Sequence, residues 1–283
     1  MNPKPDKGQY RLILATNRDE YYARPAGPAH VWPEAEHIIA GTDLETGREG
    51  GTWFGVSVRE QQLRTGALLN VTGEPRILGA PGRGCIVTDY LRGSNTTLDY
   101  VTNLRADTGR IFNAYTFVTV ELGLTSGNVY CYNNVADELT THGTNGDDND
   151  NVWYACGNSL QHEPLAKVSM GALRFRNTVE QLQAAVSERE TLIGELMALL
   201  KWTVPHIPDP VLERRVPSAE VRHSLSSVFV SMPNAGYGTR THTILLVDHT
   251  GRVEFLEDTM YSGTKGSSIT PTSWHHSEHL AQL

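Results

Sequence analysis

The sequence predicts an α+β fold built on antiparallel sheets. Three observations predict it. Runs rich in β-branched and aromatic residues follow one another across tight turn signals, which favours antiparallel neighbours. Helical patterns come in pairs set between groups of strands, as helical layers packed on sheets would. With 39% hydrophobic and 20% charged residues in 283, the chain has enough apolar material for a sizeable core and too little charge for wholesale disorder.

The elements follow in order. "RLILAT" leads as a strand into the polar run Asn17-Arg18-Asp19-Glu20. "GGTWFGVSV" and "LRTGALLNV" cluster or alternate apolar residues around glycines and read as strands. Residues 83–105 read as two helical pieces, with Leu98, Val101 and Leu104 at three-residue steps behind the capping residues Asn95, Thr96 and Thr97. "RIFNAYTFVTVEL" and "NVYCYNN" read as a hairpin turning at Ser126-Gly127-Asn128. Residues 145–151, "NGDDNDN", read as a solvated loop, and "VWYACGNS" as a short strand running into Gly157. "PLAKVSMGALRFRNTVEQLQ" is a helix. So is "RETLIGELMALLKW", where Leu192, Ile193, Leu196, Leu199 and Leu200 form one apolar stripe. Prolines 205, 208 and 210 end the pair. "SVFVSM", "HTILLVD" and "RVEFLED" return to strands, the last two joined by His249-Thr250-Gly251. The chain reads as a single domain, 1–283, with residues 262–283 a loosely held tail.

Charge and composition exclude several functions. The formal net charge is −8, and no basic run interleaves with aromatics, so a nucleic-acid surface is not expected. No segment approaches the ~18 apolar residues of a membrane helix. The opening "MNPKPDKGQY" has neither the apolar core of a signal peptide nor the Arg-rich helix of a transit peptide. Three scattered cysteines without a CxxC pattern read as reduced thiols. A soluble, intracellular protein is expected. "HHSEH", residues 275–279, spells a zinc-peptidase pattern, but it lies in the polar tail with no core behind it, and no metal centre is expected.

Three stretches carry candidate chemistry. Asn17, Arg18, Asp19 and Glu20 close the first strand, where an arginine fork flanked by carboxylates suits an anionic or carbonyl oxygen; a solvated turn is the equal alternative. In "YGTRTHTILLVD", Arg240 and His242 share one strand face and Thr239, Thr241 and Thr243 the other. In "CGNSLQHEP", Asn158 follows a glycine and is either a turn residue or a carbonyl-polarising amide. The glycine clusters "GREGGTWFG" and "GAPGRGC" lack the P-loop lysine and the GxGxxG spacing, so they read as tight turns. Arg83, at a helix start, can still meet an anion.

"RLILATNRDE", "GTDLETGREGGTWFG", "GALLNVTGEP", "GRG", "GNS" and "YGTRTHTILLVD", in this order from Tyr10 to Met260, resemble the Transport and Golgi organization 2 family, also called the NRDE family. The resemblance implies a four-layer αββα sandwich of the N-terminal nucleophile hydrolase type. It also implies that Arg18, Asp19, Asn158 and Arg240 are counterparts of the site residues of related cysteine hydrolases. The family is associated with Golgi organisation and protein secretion and with haem and acyl-CoA or lipid handling, including mitochondrial links. The expected partners are therefore a small anionic ligand, haem or acyl-CoA, and proteins of the secretory pathway. The expected location is the cytoplasm, with Golgi or mitochondrial association. The resemblance fails at the start. Family members begin Met-Cys and an apolar strand, whereas here Asn2-Pro3-Lys4-Pro5 follows Met1. The expectation is that the first strand and the nucleophile are missing, so that no residue of this chain is catalytic and the protein binds rather than cleaves. The alternative is an amide hydrolase whose cysteine start lies outside the sequence given.

Overall fold

A computed structural model describes residues 1–143, 151–260 and 273–283. In chain order the strands and helices begin with β1 (Tyr10–Tyr21), β2 (Ala26–Trp32), β3 (Ala35–Asp43), β4 (Phe54–Arg59) and β5 (Gln62–Asn70). Helices α1 (Gly84–Arg92) and α2 (Thr97–Ala106) follow, then β6 (Tyr115–Leu122), β7 (Gly127–Asn133) and β8 (Glu138–Gly143). Next come α3 (Ala166–Gln181), α4 (Arg189–Leu200), α5 (Pro210–Arg215) and α6 (Ala219–Leu225). The chain closes with β9 (Ser231–Met232), β10 (Tyr237–Asp248), β11 (Arg252–Met260) and β12 (Trp274–Gln282). This is an α+β protein with two antiparallel sheets; strand groups and helix groups alternate as the sequence predicts, but two further helices, α5 and α6, follow the predicted pair.

The described residues fall into two compact units. One holds residues 26–152 and 158–160. Its seven strands, β2 to β8, form a meander in sequence order, so each pairs with its chain neighbour. Short turns join several of these pairs, while β5 reaches β6 through α1 and α2. Arg59 pairs with Gln62 across Glu60 and Gln61, both at positive φ, the mirror-image turn whose twist matches a hairpin. The core packs α1 and α2 on the sheet, with Tyr90 edge-on to Phe117 at 5.3 Å and Ile86, Val87, Leu91 and Val101 around them. Buried Glu121 pins the helices to the sheet: it accepts from the Thr97 amide and hydroxyl, each at 2.8 Å, and from the Tyr90 hydroxyl at 3.1 Å.

The two glycine clusters meet in this unit. Thr52 N donates to Gly84 O, and Thr88 Oγ1 donates to Gly50 O. A Cβ at Gly84 would lie 3.0 Å from the Gly51 Cα, and one at Gly51 would lie 3.1 Å from the Gly84 Cα. These glycines serve close backbone approach, not a phosphate cradle.

The other unit holds residues 1–25, 153–157 and 161–282. Its sheet runs β1-β10-β11-β12, with β9 added beside β10. The predicted leucine stripe of α4 supplies Leu192, Leu196 and Leu200, which pack on Ile244 and Leu246 of β10 and Leu256 of β11. Val179 and Phe175 of α3 close the same core. At the β10–β11 hairpin, Asp248 Oδ1 accepts from the amides of Thr250 and Arg252 and from the Thr250 hydroxyl. Gly251, at φ 85°, completes that turn.

Several expectations are corrected. Residues 274–282 are not a loose tail: β12 pairs with β11 over nine residue pairs, while 262–272 lie outside the described residues. The predicted strand "VWYACGNS" joins no ladder; Trp153 instead packs edge-on against Phe175 at 6.2 Å. The β6–β7 turn falls earlier than predicted, at residues 123–126, because Gly127 already pairs with Leu122 and Asn128 with Glu121. Of the predicted loop 145–151, only Asn151 is described, and it is exposed. Pro210 does end a segment, but it also opens α5 as its first residue, with Asp209 capping the amides of Val211 and Leu212.

Gly84→Ala tests the close backbone approach. Alanine is the better helix former, so propensity alone predicts stabilisation. The clash with Gly51 wins instead, and we expect a loss of about 1–3 kcal/mol in urea unfolding. An unchanged midpoint would mean the two backbones separate freely.

Candidate functional site

The site grows from the pairing of β1 with β10. Leu14 pairs with Leu245, Thr16 with Thr243 and Arg18 with Thr241; then the register slips and Asp19 pairs with Thr239. The register passes over Arg240, so the extra residue of this bulge lies on β10, and beyond Arg18 the two strands no longer alternate in step. The four polar residues consequently have four different surroundings.

Asn17 is a structural bridge. Its amide nitrogen donates to Leu200 O at 2.8 Å and to Val228 O at 3.1 Å. The first is a carbonyl at the C-terminus of α4, where intrahelical donors run out. The Asn17 Oδ1 atom lies 2.7 Å from His242 Nδ1. With the amide nitrogen spent on carbonyls, this oxygen accepts, so His242 carries its proton on Nδ1 and a lone pair on Nε2. The His242 ring stacks on Trp274 at 4.7 Å and 11° and lies near Phe229 at 5.8 Å. Burial, with Lys201 adding to it and Asp258 opposing, holds its pKa down at about 4.

Asp19 turns into the protein. It accepts from Thr239 Oγ1 at 2.6 Å, and that hydroxyl accepts from Val230 N at 2.9 Å. Desolvation pushes the Asp19 pKa above the usual carboxylate range, against the pull of Lys167 and of the Thr239 bond. Lys167, buried at the start of α3, donates to Ser227 O at 3.1 Å. Burial lowers its pKa, and Asp19 and Asp209 oppose that shift.

Arg18 and Glu20 remain partly open to solvent. Arg18 Nη2 lies 3.9 Å from Glu20 Oε2, and Arg24 Nε lies 3.7 Å from the same oxygen. Two cations therefore share one carboxylate at long range. Tyr21 and Tyr237 meet edge-on beside them at 5.2 Å.

Arg240 is only 2% exposed, and the hydrogen bonds it makes go to backbone carbonyls: Tyr21 O at 3.0 Å, Arg24 O at 2.6 Å and Met260 O at 3.4 Å. It staples the 21–24 turn to the sheet. Burial lowers its pKa, against the pull of Glu20. The glycine beside it is also steric: a Cβ at Gly238 would meet Tyr22 Oη at 2.5 Å and Val230 O at 2.6 Å.

Arg83 and Asn158 belong to the meander unit. Arg83 stands at the N-cap of α1, and its Nη1 donates to Ala114 O. Asn158 Nδ2 donates to Asn70 O at 3.0 Å, while Thr72 N donates to Asn158 O at 2.9 Å, a two-way tether of the end of β5. Both are engaged with backbone.

"HHSEH" lies on β12, where His275 and His279 stand four residues apart along a strand, about 13 Å. The zinc pattern needs a helix to bring them together. Here His276 pairs with Asp258 at 2.8 Å and Glu278 with Arg189 at 2.8 Å. Among the described residues, no group of three or more His, Cys, Asp or Glu could hold a metal ion.

Sequence reasoning missed Arg24, Lys167, Thr239 and Trp274 as partners of the motif. Thr239 was legible in part, because it precedes Arg240 on the opposite strand face. Lys167 was not: nothing in a helix sequence marks one lysine as buried.

These features define a class: an α+β protein of two antiparallel sheets whose first described strand ends in a bulged, charge-rich turn. No helix among the described residues is long and apolar enough to cross a membrane. Residues 1–262 match the family model described as Transport and Golgi organisation 2. The chain is 40% identical over 265 residues to Transport and Golgi organization protein 2 of Drosophila melanogaster, covering 92% of this chain and 89% of that protein. It is 36% identical over 267 residues to the Homo sapiens homolog, covering 92% and 90%. With the Bos taurus homolog it shares 34% identity over 290 residues, covering 100% and 96%. The chain belongs to the Transport and Golgi organisation 2 family.

Two predictions follow from the buried groups. The folded pKa of His242 lies below its ordinary 6.5, so the unfolded chain takes the proton first. Its contribution is full above about pH 6.5 and falls as the pH drops toward 4, by about 3 kcal/mol in all. Unfolding midpoints measured across this window should fall in the wild type and flatten in His242→Gln. Arg240→Ala leaves its carbonyls in place without their donor and should cost about 3 kcal/mol in chemical denaturation. Arg240→Lys should recover only part of that, because one ammonium cannot span the same carbonyls.

Proposed function

We propose that this protein acts in transport and Golgi organisation, as its relatives' names state for them, and in protein secretion, and that it does so by binding an anionic small molecule at the end of β1. Haem, through its propionates, and acyl-CoA, through its phosphates and thioester, are the ligand classes that suit the site. The observation that carries the reading is the sharing of Glu20 Oε2 by Arg18 and Arg24 at 3.9 and 3.7 Å. Two guanidinium groups against one carboxylate leave a net positive charge at a partly exposed turn. The neighbouring carboxylate, Asp19, is directed to Thr239 and Lys167 and does not cancel it.

The chemistry is recognition without bond breaking. A guanidinium offers a planar fork of donors to carboxylate or phosphate oxygens, and partial burial strengthens each bond. The rigid frame beneath comes from Asn17 and Arg240, which hold the strand end and the following turn. The same reading takes both antiparallel sheets and their helices as parts of a sandwich of N-terminal nucleophile hydrolase type. It places the protein in the cytoplasm, associated with Golgi or mitochondrial membranes.

Titration of haem and of palmitoyl-CoA into purified protein tests the site. Arg18→Ala and Arg24→Ala should each weaken binding of the recognised ligand roughly tenfold or more, the value of a charge-assisted hydrogen bond. The unfolding midpoint should stay within about 1 kcal/mol of the wild type, because the ion pairs both side chains make with Glu20 are long. Unchanged affinity for both ligands in both variants would remove the site.

A further inference from the structure

The turn at residues 77–80 in the meander unit holds apolar side chains out in solvent. Leu78 is 98% exposed, Ile77 46% and Ile111 66%. Lone exposed apolar residues are ordinary. This turn differs because polar contacts hold it out. Ala80 N donates to Ile77 O, and Gly79 sits at φ 76°, which closes a tight turn with Leu78 at its tip. Asn113 Oδ1 accepts from Ile77 N at 2.7 Å, which ties the turn to the segment that carries Ile111. Arg48 Nη2 donates to Ala80 O at 3.1 Å from the other side. Pro75 and Pro81 stiffen both approaches. A chain that fixes a leucine in water by these bonds leaves its hydrophobic surface for something else to cover.

We propose that this turn is a membrane-docking finger: Leu78, with Ile77 and Ile111, enters the headgroup–acyl boundary of a phospholipid surface while Arg76 meets lipid phosphates. Charge favours lipid. Arg76 is exposed next to Ile77, and no acidic residue lies between it and Arg83, the preceding acidic residue being Glu74, in a chain whose net charge is −8. Area favours it too. A stable protein–protein interface buries about 1,200–2,000 Å² in total, far more than one turn tip can cover. A lipid interface accepts single apolar side chains to a depth of about 5–10 Å, with cations beside them at the phosphates. The device is independent of the anion site on β1, because Arg18 and Arg24 take no part in it.

Cosedimentation of the full chain with extruded vesicles tests the finger. One set is phosphatidylcholine alone; the other adds phosphatidylserine. The wild type should bind both, and the serine-containing set more tightly. Leu78→Asp should lower the partition coefficient roughly tenfold or more, the value of burying one leucine. Arg76→Glu should erase the preference for the anionic set. Leu78→Trp should show a blue shift on adding vesicles beyond that of the wild type, whose five tryptophans set the baseline. Leu173→Asp, at an exposed leucine of the other unit, should bind vesicles as the wild type does, which separates loss of this turn from a general effect of removing surface leucine. Binding that survives Leu78→Asp overturns the proposal. So does a wild type that ignores both vesicle sets, and that result would leave a protein pocket as the partner of the tip.

Discussion

The pairing of β1 with β10 is the constraint on which the rest of the unit depends. It is an antiparallel ladder from Tyr10 to Tyr21 against Tyr237 to Asp248, broken by register shifts at Arg11 and between Arg18 and Asp19. From Leu12 to Arg18 the ladder is regular, and one strand face packs under α4 through Ile13, Ala15, Ile244 and Leu246. A regular continuation would send Arg18 and Glu20 to one face and Asp19 to the other. The slip lets Asp19 pair with Thr239, so the carboxylate finds a hydroxyl and the arginine beside it keeps its access to solvent. A one-residue change in register thus decides which charges are buried and which can meet a ligand.

Burial then sorts like residues into unlike roles. Arg18 and Arg240 lie near the same strand end, yet Arg240 is nearly sealed and bonds to carbonyls of three backbone positions. A sealed guanidinium in such a place must be fully engaged, because an unpaired buried charge costs several kcal/mol. That engagement fixes the turn, and the fixed turn keeps Arg24 near Glu20. Asn17 does the same for the helix side. Its three hydrogen bonds join β1, the end of α4, the 226–230 segment and β10. The frame of the site is therefore made of the residues that look most reactive in the sequence, and its open part is smaller than the motif suggests.

Much of the fold was legible because its signals are local. The leucine stripe of α4, the turn at Asp248 to Gly251 and the alternation of β4 and β5 are each set by a few neighbouring residues. Strands β2 and β3 were not read. Their sequences, "AGPAHVW" and "AEHIIAGTD", mix glycine, proline and charge with short apolar runs, and they become strands by joining the meander beside β4. Strand β12 was taken for a tail because nothing in "WHHSEHLAQ" alternates by hydrophobicity; its place comes from β11, from the His276–Asp258 pair and from Glu278 on Arg189. The motif Asn17 to Glu20 and Arg240 could be picked out as charged residues at strand ends. Whether each pointed to solvent or to a carbonyl could not, since that is settled by a bulge and by partners more than 200 residues away.

The two-sided character of the motif has a consequence for how binding and stability are coupled. Glu20 is paired with both Arg18 and Arg24, so an arriving anion competes with it for two guanidinium groups at once. At 3.7–3.9 Å those pairs are loose, and partly exposed ion pairs of this kind contribute little to stability. Giving them up therefore costs the fold little, while the groups that do hold the fold, Asn17 and Arg240, stay bonded throughout. A ligand can take the open charges without disturbing the staples beneath them. That separation is what allows one short strand end to carry both a frame and a site.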